Sequence, residues 1–411
     1  MANVYPFRSL RYANKVPLEK VVTQPYDKIS KEMQDRYYAL HPNNIIRIVL
    51  GKTGPEDSAT NNVYTRAAAY LKEWRAEGIL EQIPVPAFFA YFQRFAVPGT
   101  TETRTRKGFV GLGRLEDYAN KVVFPHERTL IGPKKDRLEL LRHTRTHFEQ
   151  IFMLYEDATG KIDGVLDEIS GRVPDIQLDD EYGVRHTMWT IADAQSAALI
   201  QREMADKKLI IADGHHRYET GLAYRDETGG QKGSERLPMT FFNMSSPGLT
   251  ILPTHRVISN VPGFDSTTLL ERAAAFFDPG EGAVTIEVFV DGKSSSIHLK
   301  PSLDLARLMP DLSARQRTLD VVVLHRLILE KCLGITEDAV KKESHITYVR
   351  ERDSALNAVR EGKAQAAFLL NPTRLDQMRD IAYESNVMPQ KSTDFYPKVL
   401  SGLTMYTLEG T

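Results

Sequence analysis

The stretch Leu209-Ile210-Ile211-Ala212-Asp213-Gly214-His215-His216-Arg217-Tyr218-Glu219 sets four apolar residues before a glycine turn and a polar run after it. A short apolar run that ends in Asp-Gly reads as a buried strand over 208–212. Residues 215–226 then read as a helix that starts directly after the turn. The first N–H groups of a helix have no intrahelical partner, and the macrodipole is positive there, so such a turn holds anions. Gly214 carries no side chain and lets the backbone come close to a phosphate. Arg217 can grip phosphate oxygens in a bidentate fork, and His215 and His216 add donors. Asp213 can orient a histidine or hold a metal ion. The simpler readings are a turn with Asp213 as N-cap, or a zinc site. Against zinc, adjacent helical positions point about 100° apart, whereas helical metal pairs use i, i+4 spacing.

Working outward, strands are expected at 45–50, 86–96, 108–115, 151–155 and 187–191, and helices at 57–78, 134–148 and 192–205. Residues 239–243 and 250–252 read as further strands of the same sheet. The densest basic patch, 94–107 with Arg104, Arg106 and Lys107, reads as a hairpin tip. After Pro262 the composition changes. Helix is expected at 265–277 and 319–332, and a hairpin at 284–299 around Asp291-Gly292, a type I′ turn signal. Strands follow at 366–370 and 403–408. The expected organisation is an α/β body over 1–261 that carries the phosphate motif, an inserted α/β subdomain over 262–365, and a segment over 366–411 that returns to the body.

The chain has 411 residues and a formal net charge of -1, so no general pull toward nucleic acid or anionic membrane is expected. Its single cysteine, Cys332, excludes a disulfide framework within one chain and reads as a core thiol. No apolar run is long enough to span a bilayer, and residues 1–10 lack the apolar region of a signal peptide, so the cytoplasm is the expected location.

The string Ala212-Asp213-Gly214-His215-His216-Arg217-Tyr218-Glu219-Thr220 resembles the G-x-H-R phosphate-binding motif of the ParB/sulfiredoxin superfamily. Further matching stretches are Pro25-Tyr26-Asp27-Lys28-Ile29-Ser30, Pro125-His126-Glu127-Arg128-Thr129 with 134–141, and Met388-Pro389-Gln390-Lys391-Ser392-Thr393 with 395–398. On these the chain is identified as a member of the bacterial and archaeal domain of unknown function 1015 family. The resemblance implies a mixed α/β, ParB/sulfiredoxin-like nucleotide-binding core. His215 stands where sulfiredoxins carry their catalytic cysteine, which removes sulfur chemistry. ParB proteins pair CTP binding with DNA-binding helices, and this chain shows no clear helix-turn-helix and no basic face. Free-serine kinases, which phosphorylate the hydroxyl of L-serine with ATP or ADP, carry a motif of the D-G-H-H-R type.

By that resemblance Gly214, His215, His216 and Arg217 hold the phosphates, with Mg²⁺ shared with Asp213. The expected catalytic set is Asp27, Glu127, Asp213 and His216, with Asp27 and Glu127 the candidates for the base. Lys391, Ser392 and Thr393 are a second phosphate or substrate anchor, His126 belongs to an active-site loop, and Arg8 can meet a substrate carboxylate. Arg8 also reads as a solvated arginine on a terminal strand. Thr254-His255-Arg256 is a second His-Arg pair with no assigned mechanism. The expected partners are a nucleotide and a hydroxy amino acid, with L-serine first; self-association as a homodimer stays open. The rival functions are a nucleotide-binding regulator of the ParB type and a metal-dependent hydrolase using His126, His215, His216 and Asp213.

Overall fold

Backbone pairing in the computed structural model, which describes residues 2–127, 131–279, 282 and 284–408, gives a mixed α/β fold. The chain divides into two compact units. The first comprises Met1–Phe124, Leu130–Thr250 and Pro397–Thr411; the second comprises Pro125–Thr129 and Ile251–Tyr396. The second is wider than the 262–365 insert read from composition. It includes 125–129 and the 388–393 loop, which the sequence reading gave to the body.

Among the described residues, the first unit holds a nine-stranded sheet. Its strands are β1 (Val4–Tyr5), β2 (Phe88–Ala96), β3 (Thr103–Arg114), β4 (Val123–Pro125), β5 (Ile151–Tyr155), β6 (Ile176–Asp179), β7 (Arg185–Ile191), β8 (Leu209–Asp213) and β9 (Arg236–Asn243). Their order is β4-β8-β5-β9-β3-β2-β7-β6, with β1 on β3. β9 runs parallel to β5, while β8 on β5 and β9 on β3 are antiparallel. β5 is buried at every residue and β8 at Leu209 through Ala212, which is why both read as unbroken apolar runs instead of alternating ones. Ile162, Leu166 and Ile169 of the helix Lys161–Ser170, with Ile200 and Met204 of the helix Ala194–Met204, join Ile151, Met153, Leu209 and Ile211 in one core.

Several expectations change. Residues 45–50 were read as a strand but form a short helix, Ile46–Val49. The Asn44 side chain accepts from Ile46 N at 2.9 Å, and the run packs into a core instead of pairing. Tertiary packing thus overrides β-branched propensity. Thr250–Leu252 lies outside the large sheet, in a separate two-stranded ribbon. The 403–408 run pairs at Tyr406–Thr407, on Thr146–His147, and through a single bridge from Met405 to Leu10. The hairpin tip is 97–102, so Arg104, Arg106 and Lys107 sit on β3 itself, and Arg106 is fully buried.

The second unit has a six-stranded sheet among its described residues. Its hairpin joins Thr285–Val290 to Lys293–Leu299 through Asp291 (φ 50) and Gly292 (φ 73), the two positive φ angles that a type I′ turn requires. Cys332 is buried at the end of a π-helical stretch, Leu324–Cys332. No helix among the described residues is long and apolar enough to cross a membrane.

Candidate functional site

The turn that closes β8 is shaped by two local irregularities. Ile211 pairs with Met153 and Asp213 with Phe152, so Ala212 is an extra residue in the ladder. A bulge of this kind bends the strand and re-aims the side chain that follows. Gly214 then adopts φ 95 and ψ 26, a left-handed conformation, as N-cap of the helix His215–Glu227. A Cβ there would lie 3.0–3.1 Å from the Arg217 guanidinium. Glycine is therefore needed for both backbone and space. The helix runs for 13 residues, and its first-turn N–H groups face the positive end of the macrodipole.

Asp213 is the hub of this turn. One carboxylate oxygen accepts from Arg217 Nη2 at 2.7 Å and the other from Lys398 Nζ at 3.0 Å. Burial alone would raise its pKa, but Lys398 first, then Arg217 and Lys28, hold it well below the ordinary carboxylate value. Lys398 is only 7% exposed. Arg217 spends its other terminal nitrogen on Gln150 O at 2.6 Å. Burial works against its charge, yet Glu149, Asp213 and Asp27 together push its pKa up. The guanidinium fork is thus engaged within the protein, and Arg217 supplies the site with charge and a brace instead of an open bidentate grip.

Glu149, at the entry to β5, accepts from Tyr26 N at 3.1 Å and from Ser401 Oγ at 2.8 Å. It ties the 25–28 turn to the C-terminal segment. Asp27 lies in the 3-10 turn Tyr26–Lys28, exposed, with its charge felt by Tyr26 and Arg217. Arg137 is buried, donates to Val49 O at 2.7 Å, and stacks 4.1 Å from the Tyr26 ring centroid. It supports the turn. Lys134 pairs with Glu219. His215 and His216 are half-buried on the first helical turn.

His126, Glu127, Lys391, Ser392 and Thr393 belong to the second unit. His126 is buried, with Nε2 2.7 Å from Thr393 Oγ1, and its carbonyl accepts from Met388 N at 2.9 Å. Ser392 Oγ donates to Pro389 O at 2.6 Å, and Lys391 O accepts from Arg256 Nη2 at 2.9 Å. Glu127 interacts electrostatically with Arg256 and Tyr348. The 388–393 loop thus bonds within itself through Ser392 and outward to His126, Arg256, Val340 and Tyr348. Arg128 and Thr129, quoted in the same motif, lie outside the described residues. Arg8 is exposed and donates to Ile83 O at 3.2 Å.

Asp213 does not fit the role of Mg²⁺ ligand, because each of its oxygens already meets a cation. Nor do the described residues gather three or more His, Cys, Asp or Glu side chains into a group able to hold a metal. The sequence reading missed Lys398, Glu149 and Arg106. Lys398 closes a family-like stretch, Glu149 precedes the apolar run of β5, and Arg106 sits in the basic patch. No local pattern marks any of them as part of the site.

A family model described as a protein of unknown function (DUF1015) matches residues 4–368, and the chain belongs to that family. No curated protein matches it. Among solved structures, a conserved hypothetical protein from Pyrococcus furiosus is 14% identical, covers 70% of this chain and 93% of its own, and has a TM-score of 0.36. A free serine kinase in complex with AMP is 12% identical over 69% of this chain and 89% of its own, at a TM-score of 0.37. SbnI with a C-terminal truncation, from Staphylococcus aureus, is 11% identical over 71% and 85%, at a TM-score of 0.37. Likenesses of this size are remote.

Proposed function

We propose that this member of the DUF1015 family binds a nucleotide by its phosphates at the Asp213–Arg217 turn and transfers a phosphoryl group to a small hydroxyl acceptor. The donor is ATP or ADP, and the acceptor is free L-serine, giving O-phosphoserine. One observation carries the reading. A helix N-terminus opened by a left-handed glycine sits beside a carboxylate that holds two buried cations, Lys398 and Arg217, in fixed positions. Helix-terminal N–H groups and pre-placed cations are what an anionic phosphoryl group needs as charge shifts during transfer. The choice of serine rests on the resemblance of Asp213-Gly214-His215-His216-Arg217 to the free-serine kinase motif.

In this reading Lys398, Arg217 and the N–H groups after Gly214 neutralise the phosphates, and Asp213 keeps both cations in register. His215 and His216 donate hydrogen bonds from the first helical turn. Asp27 orients the acceptor hydroxyl, since it is the exposed carboxylate whose charge reaches Arg217. Glu149 takes Tyr26 N and Ser401 Oγ on one carboxylate oxygen and so braces the 25–28 turn. Mg²⁺, when present, is carried by the phosphates of the donor.

The test is incubation of the full chain with L-serine, Mg²⁺ and either ATP or ADP, with phosphoserine measured by mass spectrometry. Product that disappears in Asp27→Asn is the expected outcome. Nucleotide binding without product, across a panel of hydroxy amino acids, would replace the kinase with a nucleotide-binding regulator. Failure to bind any nucleotide would sink both.

A further inference from the structure

Arg106 is fully buried in the first half of β3, in a position where a strand facing a sheet core would ordinarily place an apolar side chain. Its guanidinium lies 4.5 Å from the ring centroids of both Phe152 and Phe242, on β5 and β9. Burial pulls its pKa down to about 9, against the opposing charges of Tyr91 and Asp213. Such a group is costly to bury and needs acceptors of good geometry. It finds them in the Gln93 side-chain oxygen, at 3.1 Å from Nε, and in the Pro397 carbonyl. Gln93, also fully buried, turns its amide nitrogen to the Lys398 carbonyl at 2.7 Å.

Two adjacent peptide carbonyls, those of Pro397 and Lys398, are therefore held by one arginine and one glutamine. The side chain of Lys398 goes on to Asp213. We propose that Arg106 and Gln93 are positioning residues: they fix the backbone at 397–398 so that Lys398 delivers its ammonium to Asp213 and to the phosphates of the ligand. This deepens, and for its ligand rests on, the phosphate-site reading above. A flexible lysine loses much rotamer entropy when its head is fixed, so a rigid backbone under it converts directly into a pre-organised cation.

The test uses the full chain with Gln93→Leu, Arg106→Lys, Lys398→Met and the Gln93→Leu/Lys398→Met double variant. Two readouts are taken. The first is the reactivity of the Lys398 amine toward an acylating reagent, read by peptide mass spectrometry, which needs no nucleotide. The second is the ratio of ADP to adenosine affinity by calorimetry, which a loss of packing alone does not change. The expected results are a several-fold rise in Lys398 reactivity in Gln93→Leu and Arg106→Lys. The ADP-over-adenosine ratio should fall about tenfold in Gln93→Leu, and the double variant should fall no further than Lys398→Met alone. Unchanged Lys398 reactivity in folded Gln93→Leu overturns the positioning role, whatever the ligand. Raised reactivity in Gln93→Leu, with a wild-type protein that does not prefer ADP to adenosine, keeps the positioning role and overturns the phosphate site instead. Should Arg106→Lys not fold, Gln93→Leu decides alone.

Discussion

Arg106 in the first unit and Arg256 in the second are both buried guanidiniums packed on aromatic rings, with pKa values pulled down by burial to about 9 and about 10. Arg106 lies between Phe152 and Phe242, and Arg256 lies 5.3 Å from the Tyr348 ring centroid. Their outlets differ. Arg106 bonds a side chain and a carbonyl that lead, within one more hydrogen bond, to Lys398 and Asp213. Arg256 bonds the carbonyls of Thr254 and Lys391, and its Nε finds no partner among the described residues. A buried cation is poor evidence for stability and good evidence for a geometric demand. In the first unit the demand comes from a charged site. In the second it comes from the shape of the 388–393 loop.

The sharpest way to break this contrast is at the two lysines. Lys398→Met removes a charge-assisted contact of about 1.5–3 kcal/mol, so ADP affinity should fall between about tenfold and a hundredfold. Lys391→Met should stay within about twofold. Equal losses in calorimetry would place both units in phosphate binding and erase the distinction. Next in size, Gly214→Ala forces a side chain into φ 95 and against the Arg217 guanidinium. A loss of about 1–2 kcal/mol in urea unfolding is expected, together with weakened ADP binding. Gly292→Ala, at φ 73 with nothing near its Cβ, pays only for the backbone, and ADP affinity should not move.

Arg256→Met should cost about 1 kcal/mol, since two lost hydrogen bonds are offset by release of a desolvated charge, and should leave nucleotide binding intact. A drop in ADP affinity in that variant would tie the second unit to the site. The smallest effect at neutral pH is the acid limb of stability. The folded-state pKa of Asp213 is depressed below its ordinary 3.8, so its ion pairs contribute fully above that pH and are lost as the pH falls through the folded value. Asp213→Asn should flatten the unfolding curve below pH 3.8 and leave its slope between pH 5 and 7 unchanged. A wild-type curve already flat at acid pH would contradict the ion triad.

The strand, turn and helix around Asp213 were legible because every signal in them is local: an apolar run, a glycine that must take positive φ, a polar helix start. The Asp291-Gly292 hairpin was legible for the same reason. The helix at 46–49 was not, because Ile and Val there follow a core contact and not their strand propensity. Arg106 was misread because charge on a sequence signals solvent unless a partner is known, and its partners are a glutamine 13 positions away and a carbonyl 291 positions away. Lys391-Ser392-Thr393 reads as a phosphate anchor by residue type, and in the fold Ser392 Oγ donates to Pro389 O, Thr393 Oγ1 meets His126 and the Lys391 carbonyl accepts from Arg256. Residue type announces chemistry, whereas the site depends on which groups remain unspent after folding.

The bond between Asp213 and Lys398 spans 185 positions of sequence. At a synthesis rate of about 5–20 residues per second, the lysine emerges on the order of ten to forty seconds after the carboxylate it will neutralise. During that interval β8 can pair with β5, both being already made, but its terminal carboxylate has Arg217, Lys28 and Arg106 for company and not Lys398. The second cation of Asp213 thus arrives only after every strand of the nine-stranded sheet has been made. A nascent chain paused before residue 397 would hold all nine strands of the first unit's sheet and still lack the lysine that pairs with Asp213.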